Sequence, residues 1–302
     1  MSSSRGTRPI VVTPEVLRRR LALRPPAVGC DKDERGCVLV VGGAAEMPGA
    51  VILAATAALR AGAGKLQIAT VQSVAQLIAA HVPEARVFAL PETKAGGVAL
   101  RAVDMVVERA ALAQAIVIGP GMVDGRAVAR LMREILPRLA GTTVVIDAEA
   151  LACLAGEVEL LHALRGDVIV TPHAGEMAQI TGMERTLIEV DPRPVAQEMA
   201  RRMRAVVALK GKETFIAAPD GQVFCNRAGN VGLATSGSGD TLAGLIAGLA
   251  ARGASPLSAA VWGVHLHARA GDRLARRMGR LGFLARELLA EVPRVMSDLG
   301  GC

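Results

Sequence analysis

The sequence predicts an α/β protein: a doubly wound, mainly parallel sheet flanked by helices on both faces, with a late β-hairpin and C-terminal helices. Three observations carry this. Short apolar runs rich in Val and Ile alternate with longer helical patterns along most of the 302 residues, the signature of repeated βαβ units. Two later strand-like runs flank Pro219-Asp220-Gly221, a segment with turn chemistry. From Ser238 onward strand-like runs stop and helical patterns follow.

In chain order, uninterrupted apolar runs predict strands at Val38 to Val41, Leu66 to Thr70, Ala115 to Ile118, Thr143 to Ile146, Val168 to Thr171 and Val206 to Leu209. Helical patterns fall between them, at Ala50 to Ala61, Ala127 to Leu139 and Pro194 to Arg204. The hairpin pairs Thr214 to Ala218 with Gln222 to Asn226, and helices follow at Asp240 to Ala251, Pro256 to Met278 and Leu284 to Val292. Without a linker, repeat or low-complexity tract, residues 1–302 read as a single domain, with Met1 to Arg8 loose.

Composition excludes several classes. Hydrophobic residues make up 51% of the chain, enough for a full core, yet no apolar run approaches the roughly 18 to 20 residues of a membrane span. Met1 to Leu21 lacks an apolar signal segment, so a cytoplasmic protein is expected. The five cysteines form no C-x-x-C pair, which argues for reduced thiols and against zinc. The net charge of +7 is spread over helix-like segments, and one Trp, four Phe and no Tyr leave little to stack on bases. Nucleic acid is therefore not an expected partner.

The strongest motif is Thr235-Ser236-Gly237-Ser238-Gly239-Asp240-Thr241 ahead of an apolar helix. Glycines there let backbone N–H groups converge at a positive helix end, which suits a phosphate. Asp240 in the first turn is the candidate proton acceptor. Leu209-Lys210-Gly211-Lys212-Glu213-Thr214 leaves a buried strand at its carboxyl end, the edge where open α/β sheets bind ligands. Further strand ends carry Gly42-Gly43, Gly119-Pro120-Gly121, Asp147-Ala148-Glu149 and Thr171-Pro172-His173-Ala174-Gly175-Glu176. His173 is a candidate substrate contact and Glu176 a candidate metal or water ligand, while Asp147 and Glu149 read as possible helix caps. The G-x-G-x-x-G spacing is absent after the first strand, which excludes an ordinary dinucleotide fingerprint.

These motifs, with Met47-Pro48-Gly49-Ala50, Leu59-Arg60-Ala61-Gly62-Ala63-Gly64 and Gly229-Asn230, resemble the NAD(P)H-hydrate dehydratase family of the ribokinase-like superfamily, from about Asp31 to Val292. The resemblance implies a lyase acting on the S epimer of NADHX and NADPHX. It implies ADP as co-substrate, with ATP as the less favoured choice, and Mg²⁺ as cofactor. By matching positions, Lys210, Gly211, Lys212, Glu213, Thr214 and Gly239 would hold the nucleotide; Ala50, Gly121, His173 and Asp240 would contact the hydrate. A homo-oligomer, with a tetramer as one form, and a separate NAD(P)HX epimerase are the expected partners. The family often carries a preceding epimerase domain, and this sequence has no room for one. Val231 stands where Pro is usual, Ser236 and Val123 where Gly is common, and Glu149 where Asp is common. The alternatives are a ribokinase-like kinase acting on a vitamin-precursor alcohol, and a catalytically silent nucleotide-binding module.

Overall fold

In the computed structural model, residues 8–25, 27–139, 141–165 and 167–301 are described. Among them run ten strands: β1 (Ile10–Val11), β2 (Cys37–Val41), β3 (Lys65–Val71), β4 (Ala85–Leu90), β5 (Ala115–Ile118), β6 (Thr143–Ile146), β7 (Val168–Val170), β8 (Val206–Leu209), β9 (Thr214–Ala217) and β10 (Val223–Asn226). The helices are α1 (Pro14–Arg20), α2 (Pro48–Arg60), α3 (Gln72–His81), α4 (Val103–Ala110), α5 (Gly125–Ile135), α6 (Ala174–Thr181), α7 (Arg185–Val190), α8 (Pro192–Met203), α9 (Ser238–Ala251), α10 (Pro256–Met278) and α11 (Ala285–Asp298).

The strands form one sheet in the order β1-β10-β9-β8-β7-β6-β5-β2-β3-β4. Strands β2 to β8 are parallel, and β9 and β10 form the antiparallel hairpin. From β2 the chain winds outward through β3 and β4, then returns to β5 on the other side of β2 and winds the opposite way. Right-handed crossovers in opposite directions put helices on opposite faces, so the sheet is doubly wound with its switch point between β2 and β5. Central strands β2, β5, β7 and β8 are buried along their whole length, and β6 is buried except at Thr143. This is why they read as unbroken Val/Ile runs without alternation.

Every strand and helix expected from the sequence is present, most with ends moved by one to three residues. Three differences have clear causes. The 127–139 helix pattern ends as α-helix at Ile135 and tightens into a 3₁₀ turn, Leu136–Arg138, where Pro137 removes a donor. Conversely, α11 runs through Pro293 to Asp298, because its buried face (Leu288, Leu289, Val292, Val295, Met296) continues past the proline. The sheet also gains β1 and β4 at its edges; β1 is only two residues long, and β4 alternates weakly with several exposed positions. The segment expected to be loose, Met1 to Arg8, lies outside the described residues up to position 7.

The C-terminal helices cover one face, with α9 against β2, β5 and β6 and α10 against β7 to β10. Helices α2 and α9 meet almost backbone to backbone. A side chain on Gly244 would strike the Ala54 backbone, and one on Gly248 the Ala58 backbone. No described helix is long and apolar enough to cross a membrane.

Candidate active site

The parallel strands deliver their carboxyl ends to one edge, and the polar segments flagged in the sequence meet there. At the switch point, Gly43 N–H donates to Pro120 O at 2.8 Å, joining the loop after β2 to the loop after β5. Gly121 adopts a left-handed backbone with φ +65, and a Cβ there would lie 2.5 Å from Met47 O and 2.9 Å from Ala50 Cβ. The two expected hydrate contacts, Ala50 and Gly121, are thus neighbours. One residue pair along, a side chain on Gly119 would collide with the Asp147 carbonyl, which brings the end of β6 against the end of β5.

Asp147 is the site residue whose importance the sequence did not disclose. Its side chain is 3% exposed and accepts from the Thr171 hydroxyl at 2.7 Å and from Lys210 Nζ at 3.0 Å. Lys210 Nζ also lies 3.7 Å from Glu176 Oε2. The position directly after a buried strand was visible in the sequence; the lysine it meets, 63 residues later, was not. Burial opposes the charge of Lys210, but Asp147, Glu176 and Asp240 outweigh it and hold its pKa above the usual lysine value.

Asp240 is the third residue of α9, and Gly237 with φ +81 turns the chain into that helix. A Cβ on Gly239 would sit 3.6 Å from Lys210 Nζ and 3.7 Å from Asp147 Oδ2, so the helix start abuts the charged cluster. The backbone N–H groups of Gly237 and Gly239 have no partner among the described residues, as expected of a helix N-terminus. The Asp240 carboxyl is pushed up to about 6, first by burial and then by Asp147; Lys210 and its own backbone N–H pull the other way. A side chain on Gly237 would strike Leu53 Cδ1 of α2, so the α9 start also adjoins the helix that carries Ala50.

The remaining expected residues divide. His173 is the N-cap of α6: its Nδ1 accepts from Glu176 N–H at 3.1 Å, and Glu176 Oε2 accepts from His173 N–H at 2.7 Å. The reciprocal pair is a capping box, and the His173 ring remains 58% exposed at the rim of the cluster. Lys210 anchors its backbone to the same loop, with its N–H donating to Pro172 O at 2.8 Å. Gly211 and Lys212 are exposed in the β8–β9 turn, and Thr214 opens β9 opposite Asn226. The Glu213 carboxylate pairs with Arg227 at 2.9 Å and turns toward the hairpin. Of the nucleotide set, only Lys210 and Gly239 are in the carboxylate cluster.

Among the described residues, no group of three His, Cys, Asp or Glu side chains is arranged to enclose a metal. Glu176 is committed to the capping box and to Lys210. Its carboxylate oxygens nevertheless suit a hard cation held through water. The cysteines Cys30, Cys37, Cys153 and Cys225 are free and take no part in the cluster.

Comparison with known proteins points to one family. The family model described as NAD(P)H-hydrate dehydratase matches residues 38–294. An ADP-dependent (S)-NAD(P)H-hydrate dehydratase of Xanthomonas campestris is 48% identical over 296 residues, 97% of this chain and 98% of that protein. The crystal structure of an ADP/ATP-dependent NAD(P)H-hydrate dehydratase from Bacillus subtilis, co-crystallised with ATP and Mg²⁺, superposes with a TM-score of 0.80. It is 31% identical and covers 97% of this chain and 100% of its own. A ribokinase-like superfamily protein of Enterococcus faecalis, 24% identical, gives a TM-score of 0.81 over 97% of each chain, a likeness of fold.

Proposed function

The chain belongs to the NAD(P)H-hydrate dehydratase family, and we propose that it dehydrates the S epimer of NADHX and NADPHX to NADH and NADPH, using ADP in preference to ATP. It is a lyase with a ribokinase-like fold. One observation carries the reading: the start of α9 places Asp240 and the unpartnered N–H of Gly239 beside the Asp147–Lys210–Glu176 cluster.

Hydroxide is a poor leaving group, so the hydrate needs activation. Asp240, with a carboxyl pKa of about 6, is ionised at neutral pH yet basic enough to take the proton from the ring hydroxyl. The oxygen then attacks the terminal phosphoryl group of ADP, and AMP departs. The Gly237 and Gly239 amides at the positive end of α9 stabilise the charge on the transferring group. The resulting phosphate ester leaves as inorganic phosphate, helped by the ring nitrogen's lone pair, and loss of a proton from the adjacent carbon completes the double bond. Ala50 and Gly121 shape the hydrate side, and His173 orients the substrate at the rim. Lys210, Gly211, Lys212, Thr214 and Gly239 line the nucleotide side, with Glu213 contributing through its backbone because Arg227 holds its carboxylate.

Three carboxylates around one lysine leave the cluster net negative, which fits a divalent cation arriving with the nucleotide. Mg²⁺, held through waters by Glu176, would neutralise phosphate charge during transfer. The proposal further includes a single-domain, cytoplasmic protein that assembles as a homo-oligomer, a tetramer being one form. Selectivity for one epimer also calls for a separate epimerase to convert the other.

The test is spectrophotometric. Hydrated cofactor incubated with the protein and ADP should regain the near-ultraviolet absorbance of reduced nicotinamide and release phosphate stoichiometrically. A stable phosphoester without regained absorbance would replace the dehydratase with a small-molecule kinase. Parallel runs with ATP decide the nucleotide.

A further inference from the structure

Ser238 opens α9 between Gly237 and Gly239, and its hydroxyl lies 2.9 Å from Nε2 of His267 on α10. Ser238 is 4% exposed, so water does not compete for this contact. Two features distinguish it from an ordinary core hydrogen bond. In Gly237-Ser238-Gly239 only the serine has a side chain, so only Ser238 can anchor the loop by a side-chain contact. Gly237 is the N-cap and Ser238 the first residue of α9; its hydroxyl reaches a different helix, and the adjacent Gly239 N–H keeps no partner among the described residues.

The ring is suited to a fixed contact. Burial drives the His267 pKa down to about 4; the Ser238 backbone acts against this, and the Lys210 charge adds to the depression. The imidazole is therefore neutral at working pH, with Nε2 within hydrogen-bond reach of the Ser238 hydroxyl.

We propose that His267 is a positioning residue: by holding the Ser238 hydroxyl, it fixes the Gly237 and Gly239 amides and Asp240 in the geometry that receives the transferring phosphoryl group. The proposal rests on the dehydratase reading above. A misplacement of about 1 Å at a reacting centre costs on the order of 10²-fold in rate. Losing the contact should thus cost far more in turnover than in stability.

A double-mutant cycle tests it, with Ser238→Ala, His267→Phe and the double variant, plus His267→Gln, which keeps a hydrogen-bonding group. Each single change should lower kcat by roughly 10- to 100-fold, leave KM for (S)-NADPHX within about threefold, and weaken ADP binding by calorimetry. The double variant should be no worse than the poorer single, since both remove one contact, and His267→Gln should recover most of kcat. Losses that multiply, or a lowered thermal midpoint with kcat retained, would overturn the proposal. Should His267→Phe not fold, Ser238→Ala compared with Ser238→Ala/His267→Gln carries the same decision. A wild type that binds ADP but regenerates no reduced nicotinamide overturns the dehydratase reading alone, because the cycle in ADP affinity still decides the positioning role.

Discussion

Asp147 and Lys210 follow strands β6 and β8, which are not neighbours, and they meet at 3.0 Å across the end of β7. The pair ties three strands together and brings a cation up to the start of α9. Replacing Lys210 with Met should leave Asp147 buried without its partner. Removing one member of a buried pair typically costs about 3–5 kcal/mol, and the 21% exposure of Lys210 places this case at the lower end. Because Lys210 lowers the Asp240 pKa, the acid limb of kcat should also move to higher pH. Urea denaturation and a pH–rate profile check both. In calorimetric titrations, Lys210→Ala with Thr214→Ala should weaken ADP binding more than binding of the hydrate; equal losses would remove these residues from the nucleotide side.

Asp240→Asn keeps the shape and the helix-start hydrogen bonding but removes the base. Turnover should fall by about 10² to 10⁴-fold, the usual contribution of a general base, with ligand affinity largely kept. If Asp240 served only the helix terminus, Asn would do as well, and near-normal turnover by this variant would end its catalytic assignment.

Stability should depend on pH in two opposing ways. His265 and His267 have pKa values held down to about 4, in both cases mainly by burial. Their contribution is complete above the unfolded value near 6.5 and disappears as pH falls through about 4, on the order of 3 kcal/mol each. Asp240, raised to about 6, has the other sign: its contribution is complete below about 4 and lost as pH rises through 6. Denaturation midpoints between pH 4 and 7.5 should therefore fall less steeply on acidification for His265→Gln and His267→Gln than for wild type. Asp240→Asn should gain stability at pH 7.5, by about 1–3 kcal/mol, and lose that advantage at pH 4.

His173 has two separable roles. His173→Ala removes the α6 cap, at a cost of about 0.5–2 kcal/mol, and should also raise KM for NADPHX. His173→Asn restores a capping side chain and should recover the thermal midpoint while KM stays raised. If Asn restores both, His173 is a cap alone; a collapse of kcat at saturating substrate would mean that it, and not Asp240, takes the proton.

What was legible in the sequence were features carried by short segments. The buried strands read clearly because both faces are covered, and the α9 start because Gly237, Gly239 and Asp240 lie within four residues. Contacts made across the fold were hidden. Asp147 looked like a helix cap because its lysine comes from another strand end, and the Ser238 partner lies 29 residues away on the next helix. Glu213 lay inside a suggestive Lys-Gly-Lys-Glu-Thr run, yet Arg227 draws its carboxylate to the hairpin. The edge strands β1, only two residues long, and β4, with its partly exposed positions, lack the apolar run that betrays a central strand.

The glycine seam between α2 and α9 sets where this site has room to change. With Gly244 and Gly248 seated on the Ala54 and Ala58 backbones, the two helices touch through main chain at these points, so a shift of one carries the other. The starts of both helices, one carrying Ala50 and the other Asp240, form one fixed jaw. The opposite jaw is the β8–β9 turn, where Gly211 and Lys212 face solvent. Selection for a different nucleotide would therefore act on residues 211–214, while changes along the seam would shift the whole fixed jaw and its chemistry together.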